Sequence, residues 1–141
     1  MERTLTIVKP DAVKLHATGD ILRRIEQSGL KILAVRMVQL DRSAAGRFYA
    51  VHKDRPFYHS LVEFMTSGPV VVAALEGSNA VVRLRTLIGS TDPKKADEGT
   101  VRRLYGSSIE HNAVHGSDSP ENGRIETAFF FSELELGMTD Q

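Results

Sequence analysis

The apolar positions of this chain fall into stretches of period two and stretches of helical period. Thr4-Leu5-Thr6-Ile7-Val8 alternates polar and apolar until Pro10 stops it, which predicts a first strand ending at Lys9. Gly19-Asp20 leads into Ile21, Leu22 and Ile25, spaced for one face of a helix that Gly29 terminates. Lys31 to Leu40 is β-rich and largely apolar on both faces, the pattern of a central strand. Asp41 and Ser43 are capping residue types ahead of a helix running through Phe48, Tyr49 and Val51. Pro56 interrupts that stripe, and Phe57, Leu61, Val62, Phe64 and Met65 resume it as far as Gly68.

The second half repeats the alternation of elements. Val70 to Leu75 is a continuous apolar run of strand length. Ser78 is placed to cap a helix whose apolar positions are Val81, Val82, Leu84, Leu87 and Ile88, closed by Gly89. Ser90 to Gly99 reads as a loop too long to be idle, and Ala113-Val114 as a short strand, edge or central. Ser119-Pro120-Glu121 opens a last helix with a capping hydroxyl, a proline and an acid in its first turn. Ile125, Ala128 and Phe129 supply its apolar face, while Gly123 weakens it by about 1 kcal/mol relative to alanine. The order β-α-β-α-α-β-α-β-α, in two βαβ-like halves, predicts an α/β (α+β) chain with a ferredoxin-like βαββαβ topology. Its sheet would be four-stranded and antiparallel, with helices packed on one face. No repeat, low-complexity block or linker divides it, so residues 1–141 read as a single domain.

Composition narrows the partners. With 141 residues, 41% hydrophobic and 26% charged, the chain carries enough apolar material for a full core. Eighteen Lys plus Arg balance eighteen Asp plus Glu, so bulk charge holds it neither to nucleic acid nor to an anionic membrane. Residues 1–70 carry eleven basic and seven acidic side chains and residues 71–141 the reverse, a split that complementarity within or between subunits explains as well as a partner site does. There is no cysteine, which excludes disulfides, thiolate metal sites and thiol nucleophiles. No apolar run approaches the roughly 18 residues of a membrane span, and MERTLTIVKP lacks a signal-peptide pattern, so the expected location is the cytoplasm.

The usual phosphate cradles are missing: nothing matches GxxxxGK(S/T), and no GxGxxG follows a strand. A phosphate enzyme built on this chain must therefore grip its substrate with side chains such as Lys9, Arg85 and Arg102. Taken one at a time, such residues are ordinarily solvated. Of five histidines, His16, His52 and His59 have no partner in the local sequence. His111 and His115 are four apart in HNAVH, which on a helix is a metal-ligand spacing, yet Asn112 stands where HExxH carries its glutamate. His115 also lies directly before Gly116-Ser117-Asp118-Ser119-Pro120 and a helix N-terminus, where an imidazole can face a phosphate and Gly116 leaves room for it. Spacing alone leaves that nucleophile and a capping loop that happens to contain a histidine equally open.

Longer blocks decide between them. Asn112-Ala113-Val114-His115-Gly116-Ser117-Asp118-Ser119 resembles the N-x-x-H-G-S-D signature of the nucleoside diphosphate kinases. ERTLTIVKPDAV at 2–13, KDRPF at 53–57, EFMTSGPVVV at 63–72 and GTVR at 99–102 are similar to the same family, so the resemblance spans about residues 2–132. It implies transfer of the γ-phosphoryl group of a nucleoside triphosphate, mainly ATP, to any nucleoside diphosphate by ping-pong chemistry, maintaining nucleotide pools. It further implies His115 as the phosphorylated nucleophile, Glu126 as the carboxylate orienting it and Ser117 as a hydroxyl near both. Lys9 and Tyr49 would lie at the transferred phosphate, Arg85, Thr91 and Arg102 at the other phosphates, and Asn112 at the ribose. Phe57 would stack on the base without discriminating between bases. The implied cofactor is Mg²⁺, held mainly by the nucleotide's phosphates with no side-chain metal site. The implied assembly is a homotetramer or homohexamer, with the long loop and the C-terminal tail often at subunit contacts. Asn122-Gly123 and Leu15-His16-Ala17 depart from the family pattern. Two other readings carry their own signatures: a non-catalytic nucleotide binder would have lost His115 or Arg102, and a metal hydrolase would hold a metal on His111 and His115.

Overall fold

The computed structural model describes residues 1–137 and places them around one four-stranded sheet. The strands are β1 (Glu2–Val8), β2 (Lys31–Val38), β3 (Val70–Gly77) and β4 (Val114–Gly116), in the spatial order β2-β3-β1-β4. Every pairing is antiparallel: β1 runs against β3 from Glu2↔Gly77 to Val8↔Val71, and against β4 from Thr6↔Gly116 to Val8↔Val114. This is the expected ferredoxin-like arrangement. Residues 138–141, the end of the tail for which subunit contacts are expected, lie outside the described residues.

Side-chain alternation along the strands builds two cores. Val71, Ala73 and Leu75 of β3 join Ile21, Ile25, Leu84 and Ile88 on one face. Val70, Val72 and Ala74 join Ala45, Leu61, Val62 and Met65 on the other. Helices therefore cover both faces, not one. The first face carries α1 (Pro10–Lys14), α2 (Thr18–Gln27), α5 (Ala80–Ile88) and α6 (Val101–Tyr105); the second carries α3 (Arg42–Phe48) and α4 (Tyr58–Met65). The run from Val70 is buried throughout, as its uniform apolarity requires. A last pair, α7 (Pro120–Phe130) and α8 (Glu133–Leu136), ends the described chain, α8 opened by a capping box of Ser132 and Glu135.

Several local expectations change. β2 is an edge strand, not a central one: it pairs with β3 alone, has a register shift between Ile32 and Ala34, and leaves Val35 and Met37 exposed. Pro10 does more than stop β1; it occupies the first turn of α1, where its missing N–H costs nothing. Ser78 does not cap α5. The N-cap is Asn79 in the left-handed region, and the Glu2 carboxylate accepts the orphan Val81 N–H at 2.9 Å. The 90–99 segment contains a single 3₁₀ turn at Pro93–Lys95, capped by Asp92, and leads into α6 through a Thr100 cap.

The apolar face assigned to α7 is also overturned. Ile125, Ala128 and Phe129 are exposed, while Gly123 and Thr127 are buried and turn toward β1. Gly123 packs so closely there that a Cβ would lie 2.2 Å from the Arg3 carbonyl oxygen. That glycine is a packing requirement and not merely a weak point in a helix.

Candidate active site

Four segments converge beyond the C-terminal end of β1. Lys9 leaves that end, Arg85 comes from α5, Arg102 from α6, and Asn112 and His115 from the approach to β4 and β4 itself. Together with Tyr49, Phe57, Thr91 and Glu126 they line a cleft of about 540 Å³. Ser117 lies beneath it, fully buried. All ten expected site residues are thus at or under one cavity, although Lys9 and Asn112 are 103 positions apart in sequence and still touch, Lys9 Nζ donating to Asn112 Oδ1 at 2.9 Å.

Among the described residues the imidazole is hydrogen-bonded through one ring nitrogen only. His115 Nε2 and Glu126 Oε1 are 2.7 Å apart, and Ser117 Oγ donates to the same oxygen at 2.7 Å while accepting the Leu5 N–H at 3.0 Å. An ionised carboxylate only accepts, so Nε2 carries the ring proton and Nδ1 the lone pair. Phe48 packs edge-on against the imidazole, with ring centroids 5.4 Å apart, and further fixes its plane. The α7 positions facing this network are polar or small because their partners are a histidine and a strand backbone.

The cations of the cleft have no counter-charge in contact. Lys9 and Arg102 are buried, and among the described residues neither they nor Arg85 form an ion pair. Arg102 spends its guanidinium on the carbonyls of Gly89 and Val114, at 3.0 and 2.9 Å, and keeps a buried Nε with no partner. Arg85 donates to the Gly116 carbonyl at 3.1 Å. Burial, then the Arg102 charge, lowers Lys9 to about 8, against the opposing pull of Asp11 and Glu110. Burial, then Arg85, lowers Arg102 to about 10. Concentrated positive charge held on carbonyls and amides is a seat for a polyanion. The Tyr49 hydroxyl, buried and without a hydrogen-bond partner, has its pKa raised by burial and then by the charge on Glu126.

The mouth is apolar. Phe57 is half exposed, tilted against His52 at 5.4 Å, and Val51, Leu61 and Ile109 line the same cleft. Asn112 is nearly fully buried, donating to the Thr91 carbonyl at 3.0 Å, which ties the 90–99 loop to the segment before β4. Sequence reasoning missed Phe48, His52 and Ile109, whose relevance comes only from tertiary proximity. His111 and His115 do not share a helix face. His111 sits in a bend, its ring stacked on Phe64 at 4.1 Å, whereas His115 is in β4.

Comparison with known proteins identifies what the whole chain is similar to. The family model described as nucleoside diphosphate kinase matches residues 2–136. The nucleoside diphosphate kinase of Bordetella pertussis is 57% identical over 136 residues, 96% of this chain and 96% of that one. That of Campylobacter lari is 58% identical over 96% of this chain and 99% of its own length. Among solved structures, the Aquifex aeolicus nucleoside diphosphate kinase superposes with a TM-score of 0.93 at 49% identity, covering 95% of this chain and 97% of that one. A halophilic nucleoside diphosphate kinase from Halobacterium salinarum, in complex with CDP, gives 0.93 at 42% identity, covering 99% and 93%.

Proposed function

The chain belongs to the nucleoside diphosphate kinase family, and from that premise we propose how its residues carry the reaction. The activity itself is transfer of the γ-phosphoryl group of a nucleoside triphosphate to a nucleoside diphosphate. In our reading His115 Nδ1 attacks the γ-phosphorus: a P–N bond forms, the bond to the β-phosphate oxygen breaks, and the nucleoside diphosphate leaves. The terminal phosphate oxygen of a second diphosphate then attacks the same phosphorus and breaks the P–N bond. The observation that carries this is the one-sided grip on His115, with Nε2 against Glu126 and Nδ1 left with the lone pair.

Glu126 and Ser117 fix the tautomer and stabilise the cationic adduct. Lys9 and the Tyr49 hydroxyl meet the transferred phosphoryl group; Arg85, Thr91 and Arg102 meet the other phosphates; Asn112 meets the ribose. Such positioned charge supplies most of what phosphoryl transfer requires. The family uses a divalent metal with its nucleotide, and a cleft lined by Lys9, Arg85 and Arg102, with Glu110, Asp118 and Glu126 alongside, fits one that arrives on the phosphates. When bound, Mg²⁺ would neutralise phosphate charge there, with the phosphates as its main ligands. Our reading extends to a single domain over 1–141, a cytoplasmic location and a homotetramer or homohexamer. The exposed Val35 and Met37 on the edge strand β2 support an oligomer.

The test is incubation with γ-labelled ATP and Mg²⁺. A label on the protein that survives base, is lost in acid and is discharged by any nucleoside diphosphate supports the phosphohistidine; no label on folded protein overturns it. Stacking on Phe57 gives a second expectation. Phe57→Ala should weaken every nucleotide by about 1–3 kcal/mol regardless of base. Calorimetry with adenine, guanine, cytosine and uracil diphosphates checks it, and a loss confined to one base contradicts it.

Lys9 sets a pH dependence. Its ammonium binds phosphate only when protonated, so nucleotide affinity should be greatest below about pH 8 and fall as pH rises through that value. Binding above it should take up a proton. Titration calorimetry in two buffers of different ionisation enthalpy reads that proton directly, and an uptake of zero throughout removes Lys9 from the phosphate site.

A further inference from the structure

The roles above leave Asp11 unused, although its carboxylate is tied to the segment that carries Asn112 and His115. Those two residues are three apart, a spacing that in an unbroken strand points side chains to opposite faces. Both nevertheless line the cleft. The reversal happens at Ala113, which has φ 76°, a region that residues with a side chain rarely adopt. Val114 N–H donates back to the Asn112 carbonyl at 2.9 Å, closing a γ-turn of the rare, strained hand. Such a turn persists only where its surroundings over-determine it. Here the Ala113 carbonyl accepts the Lys9 N–H at 2.8 Å, and the Ala113 N–H donates to Asp11 Oδ2 at 3.0 Å.

Asp11 also faces Lys9 electrostatically. The ammonium has Asp11 on α1 and Glu110 before Asn112 raising its proton affinity, and Arg102 on α6 opposing them, with Arg85 beyond on α5. The other Asp11 oxygen, Oδ1, is buried with no hydrogen-bond partner, so this carboxylate is kept in place at a desolvation cost its single bond does not cover.

We propose that Asp11 is a positioning residue of the transfer reaction: it holds the strained turn at Ala113, so that Asn112 and His115 face the cleft together, and it sets a carboxylate near the Lys9 ammonium. The proposal rests on the assignments of His115 and Lys9 made above.

The experiment compares Asp11→Asn and Asp11→Ala with the parent enzyme, in single-turnover phosphorylation of His115 by ATP and in ADP affinity against pH. Asparagine keeps an oxygen for the Ala113 N–H and loses the charge; alanine loses both. Asp11→Ala should form the phosphohistidine about tenfold to a hundredfold more slowly, the scale of a small misplacement of a reacting group. Asp11→Asn should recover most of that rate. In both variants the alkaline fall of ADP affinity should move to lower pH, a shift that a merely structural residue would not produce. An unmoved pH profile in Asp11→Asn, or a parent-like rate in Asp11→Ala, overturns the proposal. If Asp11→Ala does not fold, the pH profile of Asp11→Asn decides alone. His115→Ala run in parallel separates the two layers. A label on that variant removes the site reading itself, whereas its absence confines any failure to Asp11.

Discussion

Replacing His115 with alanine is expected to abolish phosphoryl transfer while nucleotides still bind. Binding rests on Lys9, Arg85, Arg102, Asn112 and Phe57, which are held by Asn112, by backbone carbonyls and by His52 and not by the imidazole ring. Turnover, by contrast, requires the Nδ1 lone pair, and removing a nucleophile costs on the order of a millionfold where no neighbour substitutes for it. No neighbour does here: His52 lines the cleft but belongs to its apolar mouth, and there is no cysteine in the chain. A labelled-ATP assay at saturating nucleotide, beside a calorimetric Kd for ADP, separates the two quantities. Residual transfer near the parent rate would place the nucleophile elsewhere. The companion variant Glu126→Gln should lose about a hundredfold to ten-thousandfold, because an amide can offer its N–H to Nε2 and drive the proton onto Nδ1.

How far the sequence reached depends on what kind of contact each residue makes. The β3 run was legible because a strand buried on both faces is apolar at every position, as Val70 to Leu75 is. β2 is largely apolar too, Lys31 and Arg36 apart, yet is an edge strand that pairs with β3 alone and exposes Val35 and Met37, since periodicity does not record on which side a second strand lies. α7 misled in the opposite direction. Its inward positions are Gly123, Glu126 and Thr127, chosen for close approach and for holding His115, so the exposed Ile125 and Phe129 mimic a core face. The site residues themselves were legible as a motif and not as a geometry. Spacing left His115 open between nucleophile and capping loop until the ordered blocks around it were taken together. Phe48 and Ile109 carried no local signal, and Asp11 none beyond its place in the block at 2–13, because each matters only through a partner brought to it by the fold.

The misread face of α7 yields the second large effect. Propensity alone says that Gly123→Ala should stabilise the helix by about 1 kcal/mol. The packing says otherwise. A Cβ at 123 would lie 2.2 Å from the Arg3 carbonyl oxygen and 3.3 Å from the Thr4 Cα, and these are backbone atoms of β1 with no rotamer to move away. β1 is itself fixed, paired along its length with β3 and at its end with β4. α7 must therefore lift off the sheet, at a cost at or above the 1–3 kcal/mol typical of overpacking, which outweighs the propensity gain. The same displacement reaches the chemistry, because Glu126 lies one turn further along α7 and meets His115 and Ser117 through a single oxygen. Gly123→Ala is thus expected to lower the melting temperature by several degrees and to slow phosphohistidine formation by about tenfold or more. Thermal denaturation and single-turnover labelling at a temperature where the variant is fully folded measure the two effects separately. A variant that melts higher than the parent and transfers at the parent rate would mean that α7 and β1 have room the geometry denies them.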